Sequence, residues 1–112
     1  MASSTSPQAA VVVMYNHPKD PAAFERYYEQ THLPLVEKAA AEMGFTRSEF
    51  VKFTRALDGQ QPAFYRKAEL WFDSLAALER GIATPGFAAV GADIPNFATG
   101  GVTALISVET NA

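Results

Sequence analysis

The apolar positions of this chain follow two rhythms, and the points where one gives way to the other mark its elements. Ala9 to Tyr15 is apolar on both alternating sets and rich in β-branched residues, the pattern of a strand covered on both faces. Asn16, His17, Pro18 and the Asp20–Pro21 pair then read as a turn. Asp20 suits an N-cap, with Pro21 at the first helical position, where a missing amide hydrogen costs nothing. The spacing predicts a helix from about Pro21 to Thr31, broken near Pro34 and resumed through Val36, Ala39, Ala40 and Met43 to a stop at Gly44. A second strand follows over about Thr46 to Thr54. Leu57 to Pro62, with its Asp58–Gly59 pair, reads as a hairpin loop.

Phe64 to Phe72 alternates more clearly. Phe64, Ala68, Leu70 and Phe72 share one face with Arg66 among them, while Tyr65, Lys67, Glu69 and Trp71 share the other. Asp73 or Ser74 caps a second helix through Leu75, Leu78 and Ile82, and Val102 to Val108 supplies the last strand. Between them, Thr84 to Gly101 is rich in glycine and proline yet carries Phe87, Val90, Ile94 and Phe97. It reads as a long loop packed as a lid.

The order β-α-β-β-α-β is the split βαβ plan. It predicts an α+β, ferredoxin-like fold: a four-stranded antiparallel sheet with two helices on one face. The opposite sheet face is left bare, and an exposed apolar face of that size is normally an interface. A homodimer is the simplest cover for it, with Tyr65 and Trp71 expected at the contact.

Composition narrows the function classes. The chain has 112 residues, 48% hydrophobic and 19% charged, the balance of one folded domain. That domain is placed at residues 9–110. The first eight residues, MASSTSPQ, lack the basic residues and long apolar core of a secretory signal and are read as a disordered tail. A net charge of −3 gives no footprint for nucleic acid. No apolar run is long enough to span a bilayer, so no membrane partner is expected and the protein is read as cytoplasmic. With no cysteine, disulfides and thiolate chemistry are excluded.

Candidate chemistry centres on Phe24 to Leu35, FERYYEQTHLPL. Phe24, Tyr28 and His32 are four apart and stack as one column on a helix face, an apolar base with a phenol and an imidazole above it. Pro34 lacks an amide hydrogen and its ring presses on the carbonyl of Gln30, so the helix is expected to end or kink just after His32. His32 titrates near neutrality and suits acid–base work; the alternative is a core-edge histidine bonded to a freed backbone carbonyl. Asn16 ends the first strand, where a pocket mouth could lie, although a turn role explains it better. His17, followed by Pro18, reads as an exposed turn residue. The two histidines fall in separate elements without metal-ligand spacing, and the glycines form no phosphate loop, so neither metal nor cofactor is expected.

Three segments carry a resemblance: VVVMYNHPKDPAAFERYYEQTHLPLVEKA, YRKAELWFDSLAAL and GADIPNF. In this order the chain resembles the EthD family of the dimeric α+β barrel superfamily, most specifically at Tyr28, His32, Pro34 and Leu35. The resemblance implies a tight homodimer with a pocket between the first helix and the sheet of each subunit. The family's founding member belongs to a pathway that degrades a fuel ether beside a cytochrome P450 system. Superfamily relatives include cofactor-free monooxygenases and polyketide cyclases that use a histidine–tyrosine pair, and isomerases. On that footing His32 is the expected base, Tyr28 supports an oxyanion, and Asp93 fixes the histidine tautomer, against the alternative of a turn residue capping local amides. Phe24, Asn16, Leu35, Phe87 and Phe97 are expected around a small, mostly apolar or aromatic substrate. Oxygenation is the first reaction class expected; cyclisation or isomerisation is the alternative, as is a non-catalytic carrier or accessory protein.

Overall fold

The computed structural model describes residues 6–111. Most of the expected N-terminal tail therefore lies outside the described residues. Of the remainder, Gln8 exchanges hydrogen bonds with Glu109: its amide donates to Oε1 at 2.8 Å and its carbonyl accepts from the Glu109 amide at 2.9 Å.

The first strand is the middle of the molecule. β1 (Ala9–Tyr15) pairs antiparallel with β3 (Arg66–Phe72) on one side and β4 (Val102–Val108) on the other, and β2 (Arg47–Lys52) adds outside β3. The order β2-β3-β1-β4 is that of a ferredoxin-like sheet, and the helices cover one face of it. Registration places Val13 between Ala68 and Ala104, and Tyr15 between Arg66 and Val102. Side chains alternate along a strand. Val11, Val13 and Tyr15 thus turn together toward the helices, while Val12 and Met14 turn to the other face.

The long first helix does not end at Pro34. α1 (Pro21–Tyr27) starts at Asp20, whose Oδ1 accepts from the Ala23 amide at 3.1 Å. It passes into one π-helical turn, Tyr28–His32, and continues as α2 (Leu33–Met43) to Gly44, which takes φ +82°. Leu33 donates to the Tyr28 carbonyl, five residues back. The widened turn accommodates the proline ring against the Gln30 carbonyl, so the expected break becomes a local change of pitch. Such turns are frequent at functional sites.

The expected lid is also a helix. α3 (Leu75–Ile82), capped by Ser74, is followed at once by α4 (Pro85–Asp93) and a 3₁₀ turn, Ile94–Asn96. Thr84 caps α4 through Oγ1, which accepts from the Phe87 amide at 3.2 Å, and Pro85 opens the helix. Its glycines disguise it. Gly86 sits where α4 crosses α2, and a Cβ there would run into the Glu42 carboxylate and come within 3.2 Å of the Ala39 Cβ. Burial of Val90, with Phe87 half-buried beside it, outweighs the helix penalty of about 1 kcal/mol per glycine.

Two apolar clusters fill the layer between helices and sheet. One gathers Val11, Val36, Met43, Leu70, Phe72 and Leu78; the other is aromatic, with Tyr15, Phe24, Tyr28, Tyr65 and Phe97. Tyr65 was expected on the opposite face. It precedes the regular part of β3, and its ring turns inward, 5.1 Å from Phe24, with the hydroxyl donating to Glu25 at 2.8 Å. Trp71 does lie on the helix-free face, opposite Ala10, with the Arg47 guanidinium 4.6 Å above its ring. On that face Lys67 and Glu69 satisfy each other at 2.7 Å. Among the described residues no helix is long and apolar enough to cross a membrane.

Candidate functional site

Where the two clusters meet, beneath the π turn, the helices and sheet enclose a cavity of about 160 Å³. Val13, Tyr15 and Ala68 form its sheet side, Tyr28 and His32 its helix side, and Phe87, Val90 and Ile94 its far wall. Ala104 of the edge strand also lines it and is exposed, which opens the cavity toward the surface there. The wall is apolar except where the two phenols and the imidazole gather.

His32 is 3% exposed. Its Nδ1 lies 2.8 Å from Oδ2 of Asp93. The Phe97 ring packs against the imidazole with centroids 4.5 Å apart, and Tyr28 stacks on it at 5.8 Å and 16°. The column seen in the sequence therefore forms, because four residues still nearly superimpose across the π turn. Asp93 accepts two further bonds on Oδ1, from the Tyr27 hydroxyl at 2.5 Å and from Asn96 Nδ2 at 3.1 Å. Burial alone would push this carboxyl up, but the bonds from Tyr27, His32 and Asn96 together hold it below its ordinary value. An ionised Asp93 has only acceptors, so it selects the tautomer with the proton on Nδ1 and leaves Nε2 as the lone-pair nitrogen. Burial lowers the His32 pKa, and the pull of Asp93 in the other direction does not cancel it.

The phenols are held neutral. Burial raises Tyr28 to about 12, with the Arg66 charge pulling it back, and burial together with the neighbouring Tyr28 raises Tyr15 well above the ordinary range. The Tyr28 hydroxyl is buried and finds no hydrogen-bond partner among the described residues. Arg66, on the apolar face of β3, lies 4.9 Å over the Tyr28 ring and pairs with Glu25 through Nε at 3.0 Å and Nη2 at 2.5 Å.

Of the residues singled out in the sequence, His32 and Tyr28 line this cavity, and Asp93 holds His32 without lining it. Phe87 lines it, Phe97 covers the imidazole, and Phe24 sits under Tyr28 with centroids 5.3 Å apart. Leu35 packs against the aliphatic cluster instead, and Asn16 holds the turn into β4 by donating to the Gly100 carbonyl at 3.0 Å; neither lines the cavity. His17 bonds the Pro62 carbonyl at 2.6 Å and anchors the long β2–β3 loop. Sequence reasoning missed Tyr15, Tyr27 and Arg66. Tyr15 was legible, since it belongs to the same alternating set as Val11 and Val13. Arg66 stood out among apolar positions. Tyr27 had no signal, because its partner Asp93 lies 66 residues away.

The lowered His32 pKa has a consequence for stability. The unfolded chain takes up a proton at the ordinary value near 6.5 and the folded chain resists it, so stability falls as pH drops below about 6.5. Asp93 adds a second loss near and below 3.8, because its folded-state value is depressed. Urea midpoints are expected to fall between pH 7.5 and pH 5.5, and to fall less in His32→Gln. An equal slope in both proteins would remove His32 as the source.

The EthD domain model matches residues 16–101, most of the chain. The chain belongs to the EthD family. The matched span includes Tyr28, His32 and Asp93. An uncharacterized 11.0 kDa protein in the thcB-thcC intergenic region of Rhodococcus erythropolis is 39% identical over 99 residues, 88% of this EthD chain and 92% of the relative. The crystal structure of an EthD family protein from Bacillus halodurans matches with a TM-score of 0.81 at 26% identity, covering 92% of this chain and 99% of that one. A dimeric ferredoxin-like protein of unknown function from Jannaschia shares the fold, with a TM-score of 0.68 at 18% identity over 92% of this chain and 99% of its own.

Proposed function

We propose that this EthD protein carries out general acid–base chemistry on a small, mostly apolar molecule in the helix–sheet cavity, with His32 as the base. The observation that carries the reading is the Nδ1–Asp93 contact of 2.8 Å on a cavity-lining imidazole. Asp93 orients the ring and stabilises the imidazolium that forms when Nε2 takes a proton from a substrate O–H or acidic C–H. Tyr28 and Tyr15, neutral at working pH, supply hydroxyl donors for the oxyanion left behind. Sealing the imidazole under Phe97 keeps water from competing for the proton.

Oxygenation is the reaction class placed first. A carbanionic carbon of the resulting enolate or phenolate bonds dioxygen, and loss of water from the peroxide leaves a new carbonyl. One oxygen atom then enters the product and the other leaves as water, with dioxygen as the sole oxidant. Cyclisation or isomerisation would use the same first proton transfer. A carrier role is favoured by one observation, the predominantly apolar wall, and needs His32 only as a hydrogen-bond acceptor.

The protein is proposed to act as a homodimer through the helix-free sheet face. In support, Leu105 is 54% exposed on that face, and the Jannaschia neighbour is described as dimeric. Sedimentation is expected to show a dimer at micromolar concentration; a stable monomer would overturn this part. Native mass spectrometry tests the functional reading by identifying the co-purifying molecule. That molecule is expected to be small, uncharged and convertible by the purified protein. A bound molecule that the protein leaves unchanged, even in air, would favour the carrier.

A further inference from the structure

Resting on the His32 reading, we infer that the cavity takes a single-ring phenol, seated with its hydroxyl between Tyr15 and His32. Size comes first. About 160 Å³ is close to the volume of an engineered apolar cavity of ~150 Å³ that binds benzene. A single aromatic ring suits that volume.

Polarity comes second. The polar side chains of the lining, Tyr15, Tyr28 and His32, neighbour one another, with ring centroids 5.7 and 5.8 Å apart along the row, and the rest of the wall includes Val13, Leu70, Val90, Ile94 and the rings of Phe50 and Phe87. The occupant therefore has an apolar, flat body and one polar end. There Nε2 is an acceptor and the phenols can donate, and a hydroxyl serves both at once through a single atom. Tyr15 can donate to the bound oxygen, and the bound hydroxyl to Nε2.

Charge comes third. Asp93 is committed to His32, Tyr27 and Asn96, and Arg66 to Glu25. Among the described residues lining the cavity no counter-charge is left for a bound carboxylate or ammonium, whose burial would be costly. Acidity decides between hydroxyl types. A phenol has a pKa near 10, as tyrosine does, within reach of an imidazole base. An aliphatic alcohol is far less acidic.

Fluorine NMR titrations of the purified full chain with 4-fluorophenol and fluorobenzene, and competition with 2-naphthol, test the inference. 4-Fluorophenol is expected to bind at least tenfold tighter than fluorobenzene, the contribution of a hydrogen-bonded hydroxyl, and at least tenfold tighter than 2-naphthol. In Tyr15→Phe most of the preference over fluorobenzene is expected to vanish while fluorobenzene affinity is unchanged. Equal affinity for the two fluorinated rings, 2-naphthol binding as tightly as 4-fluorophenol, or a full preference retained in Tyr15→Phe would each overturn it. The two readings fail separately. If the co-purifying molecule is not a phenol but its turnover still requires His32, the phenol inference falls and the acid–base reading stands.

Discussion

His32→Gln is expected to lower turnover of the co-purifying molecule by about 10²- to 10⁴-fold, the range for loss of a positioned general base, with affinity changed far less. Glutamine keeps a polar side chain of similar reach and can still donate to Asp93, so the pocket stays filled. Asp93 also retains Tyr27 and Asn96. The cost in stability should therefore stay within about 1.5–3 kcal/mol, that of one hydrogen bond to a charged group. Steady-state kinetics beside a urea unfolding curve separates the outcomes. A folded variant with parent turnover would remove His32 as the base. Loss on the scale of a core truncation would make it a structural histidine.

Phe24→Ala is expected to cost about 3–5 kcal/mol, the largest stability effect of any single substitution around the site. Phe24 is 1% exposed and its ring meets Tyr15, Tyr28, Tyr65 and Phe97 at centroid separations of 5.1–5.5 Å. Removing it leaves a void at the base of the column that positions Tyr28 and, one turn on, His32. Activity should fall with stability, since the column loses its footing. A denaturation midpoint close to the parent's would show that the aromatic cluster is not a packed core.

The architecture was readable because strand and helix periods are local. β1 and β4 were placed to the residue by β-branched runs, and Asp20, Pro21 and Gly44 marked helix ends through capping chemistry, with the cap of α3 narrowed to Asp73 or Ser74 before the structure chose Ser74. α4 was not readable. Its two interior glycines and flanking prolines mimic a loop, and only contact with α2 explains why Gly86 is there. The π turn was half-readable: Pro34 signalled a disturbance, but whether a helix ends or changes pitch depends on tertiary packing. The site followed the same division. The Phe24–Tyr28–His32 column is a spacing within one helix, whereas the Asp93 junction joins residues 61 and 66 positions apart and reached the reading through the resemblance. Tyr65 misled because strict alternation was extended back to Phe64, two residues before the regular strand begins at Arg66.

Acid–base work by His32 requires a neutral ring with its proton on Nδ1 and Nε2 free to accept another. Nitrogen-15 NMR of the labelled protein reads this directly, because the two ring nitrogens shift differently in each tautomer. The expected spectrum at pH 7 shows a protonated Nδ1 and an unprotonated Nε2, and the titration midpoint falls below 6.5. A proton on Nε2, or an imidazolium at pH 7, would contradict it.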